Sequence, residues 1–142
     1  IVKSFQETSR KDFIVNYDQN SNSLNITKST EIIYGLRNFI GNANKFSENK
    51  IFINIKSDSD LTEIIIEDDG EGYQKDILSK IGEPYIKSVK SSIKSKSGLG
   101  LGIFIGKTLL EKNYANILCK NSETIGGAEV SIKWKNEDLL KL

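Results

Sequence analysis

The sequence predicts an α+β domain in which one mixed, mostly antiparallel sheet is covered on one face by helices. Three observations lead there. Alternating apolar segments come in pairs joined by short polar turns, which makes hairpins instead of repeated strand-helix-strand units. Two longer segments repeat their apolar residues with a helical period. The 142 residues are enough for one packed core, too few for two ordinary ones, and contain no internal repeat.

The elements follow in chain order. Residues 12 to 17 alternate as a short strand, and the turn-forming run Asp18 to Ser23 lets the chain reverse into a hairpin with 24 to 27. From Thr30, with Ser29 beside it as a cap candidate and Glu31 in the first turn, apolar residues recur at Ile32, Ile33, Leu36, Phe39, Ile40 and Ala43 with helical spacing. Ile51, Ile53 and Ile55, then Ile64, Ile65 and Ile66, flank a polar turn around Asp58 to Asp60 as an antiparallel pair. The second of these strands runs into Asp68-Asp69-Gly70-Glu71-Gly72. A short helix is expected at 75 to 80. Residues 82 to 97, with the only Pro and with Lys87, Lys90, Lys94 and Lys96, have too few apolar residues to bury and are expected to form a flexible loop. Gly98-Leu99-Gly100-Leu101-Gly102 opens a second apolar helix that runs to about Lys112. Two final strands, 116 to 121 and 128 to 134, are joined by a Gly126-Gly127 turn, and Cys119 falls in phase with Ile117 at a core position.

Composition removes several function classes. With a net charge of +1, whole-chain electrostatics give no reason to expect nucleic acid as a partner. One cysteine cannot form an internal bridge, and a chain without histidine has no His-ligated metal site. No apolar run approaches the length of a membrane span, and the first residues lack a signal-peptide pattern. The start at Ile1 instead of Met suggests a piece of a longer polypeptide.

Three clusters carry chemistry. Asn38, Asn42 and Lys45 stand at i, i+4 and i+7, on one face of the first long helix. Asparagine is a poor helix former, and a neutral amide oxygen suits Mg²⁺ beside phosphates, although a solvated polar face explains the same pattern. Asp68 ends an apolar strand and is followed by Gly70 and Gly72, whose missing side chains let a ligand approach the backbone. A carboxylate there can accept a hydrogen bond from an exocyclic amine, yet Asp and Gly are also the ordinary residues of a turn. Gly98, Gly100 and Gly102, with Leu99 and Leu101 between them, expose backbone N–H groups at a helix N-terminus, where the dipole favours phosphate. No Gly-Lys-Ser or Gly-Lys-Thr follows them, so this is not a P-loop.

All three in this order, with a Lys- and Ser-rich segment between the second and third, resemble the GHKL superfamily of ATP-binding domains. The resemblance implies a two-layer Bergerat-type sandwich with a flexible ATP lid over about 73–97. Asn38 to Phe46 then look like the N box, Asp68 to Gly72 the G1 box and Gly98 to Gly102 the G2 box. In the gyrase, Hsp90 and MutL branches the residue four before the metal-binding Asn is a Glu that activates water; here it is Asn38, and an amide is no general base. The chain is therefore similar to sensor histidine kinases. Gly35-Leu36-Arg37-Asn38, Gly82-Glu83-Pro84-Tyr85, Lys107 to Glu111, and Gly126-Gly127-Ala128 with Trp134 look like the RegB/PrrB group of redox-responsive sensor kinases, over roughly residues 29 to 134.

That resemblance implies a single catalytic ATP-binding domain over 1–142, with ATP and Mg²⁺ as cofactors. Asn42 would ligate the metal, Asn38 and Lys45 would lie near the phosphates, Phe46 would flank the adenine and Asp68 would hold the adenine amine. Backbone amides around Gly98, Gly100 and Gly102 would approach the phosphates. The phosphoacceptor histidine is absent from these residues, so it would reside in dimerisation helices elsewhere in a parent kinase, which would be a homodimer serving a cognate response regulator. The domain would be cytoplasmic and the parent bound to the inner membrane. Two positions depart from the common pattern: Ala128 stands where many members carry Thr, and Glu83-Pro84-Tyr85 replaces the Phe-rich lid motif. A serine kinase or other ATPase of the superfamily would share the boxes without the Gly-Glu-Pro-Tyr lid, and a degenerate docking module would bind nucleotide without catalysis.

Overall fold

Ser29 sets the start of the first long helix, α2 (Thr30–Phe46), because its hydroxyl accepts from the Ile32 amide at 3.3 Å and so satisfies one of the four N–H groups that a helix leaves open. A short helix α1 (Val2–Gln6) and strand β1 (Asp12–Tyr17) come before it, and β2 (Lys50–Ser57) and β3 (Leu61–Asp68) after it. Helix α3 (Lys75–Leu78) is one turn long; α4 (Leu99–Lys112), β4 (Asn116–Asn121), β5 (Ala128–Lys135) and a terminal turn α5 (Asn136–Leu139) complete the chain. The computed structural model describes residues 1–18, 24–81 and 99–142, with backbone alone at 99 and 100.

Five strands form one sheet in the order β1-β2-β3-β5-β4, with β1 and β2 parallel and the remaining pairs antiparallel. The alternation read from the sequence selects the faces. Ile51, Ile53, Ile66, Val130, Ile132 and Trp134 point to the helical side and are buried. Helix α2 buries Ile32, Gly35, Phe39, Ile40 and Ala43 against them, and α4 adds Ile103 and Leu110. Each fully buried isoleucine or leucine contributes ~1.5–3 kcal/mol. The opposite face is solvated and carries cross-strand ion pairs, Lys133–Glu63 at 3.5 Å and Lys120–Glu129 at 3.3 Å, in register on neighbouring strands.

Helices α2 and α4 run antiparallel in close contact because glycines stand at the crossing. A methyl group added at Gly35 would lie 2.6 Å from Leu110 Cγ, and one at Gly106 would lie 2.8 Å from the Phe39 ring. This seam fixes which end of α4 meets which end of α2: the first turn of α4 stands opposite Asn42.

One expectation is corrected. Residues 24 to 27 form no strand, and β1 pairs in parallel with β2 instead of closing a hairpin. Parallel pairing sets Phe13 opposite Ile51 and Val15 opposite Ile53, so the apolar rows of β2 continue onto β1; from irregular backbone, Leu24 alone of the 24–27 segment joins the core. The glycine run opens its helix as expected: α4 begins at Leu99, and Gly100 and Gly102 lie inside its first turn. The expected helix at 75 to 80 is shorter, and α1 and α5 carried no periodic signal long enough to read.

Candidate functional site

Asp68 is the last residue of β3 and shares the core-facing side of that strand with Ile66 and Ile64. It is 4% exposed, yet its Oδ1 accepts from the Gly70 amide at 2.9 Å and the Ala128 amide at 3.3 Å. Burial pushes its pKa up; the Gly70 and Ala128 amides and the charge of Lys11 oppose that shift, while the neighbouring Asp69 adds to it. Both of these bonds use the same oxygen, and among the described residues none is made to Oδ2.

Glycine is required around this carboxylate for steric reasons. A methyl group on Gly127 would lie 1.9 Å from the Asp68 carbonyl oxygen, and one on Gly70 would lie 2.2 Å from the carbonyl oxygen of Phe46. Gly72 adopts φ +79°, where side chains are strained, and its position is set by Asn121. Asn121 Oδ1 accepts from the Tyr73 amide at 2.6 Å while its Nδ2 donates to the Tyr73 carbonyl at 2.9 Å. The Tyr73 and Cys119 side chains lie beside each other, and burial pushes both groups up, the Cys119 thiol to about 11.

Neighbouring Asp69 does different work. Its Oδ1 accepts from the Glu48 and Asn49 amides at 2.9 and 3.0 Å and so holds the turn between α2 and β2. Partial burial raises its pKa, and the amides of Asn49, Lys50 and Glu48 more than reverse that, leaving it below the usual carboxylate value.

On α2, Asn42 and Phe46 are one turn apart. The Asn42 amide packs on Gly102 of α4, where an added methyl group would meet its Oδ1 at 3.2 Å, and its buried Nδ2 has no hydrogen-bond partner among the described residues. A buried amide donor without a partner among the described residues is costly. The Asn38 Nδ2 donates to the Tyr34 carbonyl one turn back at 2.8 Å. The Lys45 ammonium stands 5.7 Å from the centre of the Phe46 ring.

The fold thus brings Asn42, Phe46, Asp68, Gly70 and Gly102 to one end of the molecule, with Asn38 and Lys45 along the same helix. Leu101 is exposed at the start of α4, and Gly72 faces the β4–β5 side. Gly98 and the Gly82-Glu83-Pro84-Tyr85 segment lie outside the described residues, as does most of the expected lid. Asn121 and Gly127 were not singled out as site residues from the sequence. Gly127 had a local signal, a Gly-Gly pair before an alternating strand; Asn121 had none, because only the fold carries it to Tyr73.

Residues 27–138 match the family described as histidine kinase-, DNA gyrase B- and HSP90-like ATPase. The chain belongs to that family. Among curated relatives, the sensor histidine kinase RegB of Cereibacter sphaeroides is 39% identical over 103 residues, covering 68% of this chain and 22% of its own length. The sensor protein RstB of Escherichia coli is 28% identical over 99 residues, covering 70% of this chain and 23% of its own. The chain therefore spans about a fifth of the length of the curated relatives it matches. Its fold is that of the mycobacterial sensor histidine kinase MprB, with a TM-score of 0.76, 21% identity and coverage of 94% and 89% of the two chains. The catalytic domain of the histidine kinase ThkA superposes with a TM-score of 0.72 at 20% identity, covering 95% and 86%. The two-layer α+β architecture expected of this ATPase family is thus present.

Proposed function

We propose that this domain binds Mg-ATP between α2, the Asp68–Gly72 turn and the start of α4, and presents the γ-phosphoryl group to a histidine outside these 142 residues, as the catalytic part of a sensor kinase. The observation that carries the proposal is the buried Asp68 carboxylate, held by two backbone amides through one oxygen and walled by glycines where any larger side chain would collide. A carboxylate so placed can accept from the exocyclic amine of adenine through its other oxygen. Phe46, one turn beyond Asn42, would flank the base.

Each residue of this chain has a part in that reading. Asn42 would hold Mg²⁺ through its side-chain oxygen Oδ1, while its unpartnered Nδ2, a donor, would fit a phosphate oxygen; the metal supplies neutralisation of phosphate charge when bound. The N–H groups of the first turn of α4, around Gly100 and Gly102, have no intrahelical acceptors and would take phosphate oxygens. Lys45 would add positive charge nearby. Asn38 cannot remove a proton from water, so these residues favour transfer of the phosphoryl group over its loss to solvent. Catalysis of this type is positioning and electrostatics, and the nucleophile comes from another part of the parent kinase. That parent would be a homodimer with a response regulator as partner.

Titration calorimetry of the chain with a non-hydrolysable ATP analogue, with and without Mg²⁺, tests this. Saturable binding strengthened by Mg²⁺ is expected, together with its loss in Asp68→Ala. Wild-type affinity in that variant removes the adenine assignment.

A further inference from the structure

The turn between α2 and β2, residues 47–49, is gripped from two sides by opposite charges. On the carbonyl side stands Lys11, just ahead of β1. Its ammonium donates to the Asn44 carbonyl at 2.5 Å and to the Ser47 carbonyl at 2.6 Å, at the end of α2 where carbonyls lose their intrahelical donors and the dipole is negative. On the amide side stands Asp69, which accepts from Glu48 and Asn49. Lys11 is itself placed by Ser9, whose hydroxyl accepts from the Lys11 amide at 3.1 Å and donates to Asn44 Oδ1 at 2.6 Å. The gripped segment adjoins the candidate site: the Phe46 carbonyl packs on Gly70 so closely that a methyl group there would approach to 2.2 Å, and the Gly70 amide binds Asp68.

We infer that Lys11 is a positioning residue for the nucleotide site, setting the distance between the Phe46 end of α2 and the Asp68–Gly70 turn by drawing together the last carbonyls of the helix while Asp69 holds the following amides. The inference rests on the nucleotide reading given above. Neither residue touches the ligand in that reading. Lys11 belongs to the segment before β1, so a residue some thirty positions from the nearest binding-site residue on α2 acts on the site by shaping its helix end.

The chain and its Lys11→Met and Lys11→Arg variants are titrated with a non-hydrolysable ATP analogue in the presence of Mg²⁺, and amide exchange at Glu48 and Asn49 is followed without nucleotide. Lys11→Met, which keeps the apolar stem and removes the donors, should weaken binding roughly tenfold and speed exchange at both amides, about the size of one charge-assisted hydrogen bond. Lys11→Arg retains donors that can reach both carbonyls and should bind within about threefold of wild type. A role in fold stability alone would lower the urea midpoint of Lys11→Met and leave the affinity of its folded fraction untouched, and that result overturns the inference. So does unchanged exchange at Glu48 and Asn49. If Lys11→Met does not fold, Asp69→Ala takes its place, and wild-type affinity in that variant also overturns the inference. Failure of the wild-type chain to bind the analogue instead sinks the reading of the site, and the inference with it.

Discussion

Asp68→Asn separates the two jobs that a buried carboxylate can have. The substitution is isosteric, so the side-chain oxygen can keep the bonds from the Gly70 and Ala128 amides at 2.9 and 3.3 Å. What changes is the group left over: an acceptor becomes an NH₂ donor facing where an adenine amine would have to donate. The loss of a hydrogen bond to a charged acceptor is ~1.5–3 kcal/mol, and two opposed unpaired donors add ~1–3 kcal/mol. Affinity should therefore fall by about seventyfold to roughly twenty-thousandfold. Folding stability should move the other way. Burial raises the pKa of Asp68, so the folded chain holds this proton more tightly than the unfolded one and the ionised form costs stability at neutral pH. A neutral amide escapes that cost, and the urea midpoint should be unchanged or higher. Calorimetric titration with Mg²⁺ and a non-hydrolysable ATP analogue, run beside a urea melt, reads both quantities on one preparation. Binding within threefold of wild type would refute the adenine role, and a lower midpoint would mean that the carboxylate serves the fold.

Other substitutions probe the same end of the molecule. Gly70→Ala places a methyl group 2.2 Å from the Phe46 carbonyl oxygen, so the turn must shift; a loss of ~1–3 kcal/mol in a urea melt and of nucleotide binding is expected. Asn42→Ala removes the side-chain oxygen that would hold Mg²⁺ together with a buried nitrogen that has no partner among the described residues, so stability should hold while the Mg²⁺ dependence of analogue binding disappears in calorimetry. Cys119, lifted to about 11 by burial, exists as roughly one thiolate in a thousand at pH 8, so Ellman's reagent should label it far more slowly in the folded chain than in urea.

The sequence was most informative where local chemistry and tertiary packing ask for the same residue. Ser29 caps α2 as its side chain predicts, and the isoleucine alternation of β2 and β3 pairs in the register that buries one face. That Asp68 ends an apolar strand was legible; its hold by two backbone amides was not, because Asp followed by Gly also reads as an ordinary turn. Where partners are distant, the residue type carries no signal of them. The parallel pairing of β1 with β2 depends on matched rows at Phe13–Ile51 and Val15–Ile53, while the Asp18 to Ser23 run offered a local turn that favoured the hairpin reading. Lys11 and Asn121 resemble any other surface Lys or Asn until the fold brings Asn44, Ser47 and Tyr73 to them. Gly102 is helical although glycine is a poor helix former, and there its close packing on Asn42 of α2 leaves no room for a larger side chain.

The position of β1 at the end of the sheet bears on where this domain can be cut. The family model matches from residue 27, so a boundary drawn from that match alone would discard α1, Lys11 and the whole of β1. The shortened piece would keep every residue of the three boxes and still present the backbone of β2, from Lys50 to Ser57, as a bare ladder beside an exposed strip of core. Such an edge invites pairing with another copy. For recombinant work, the first eighteen residues are part of the domain, and a preparation lacking them should precipitate or dimerise before it reports anything about nucleotide.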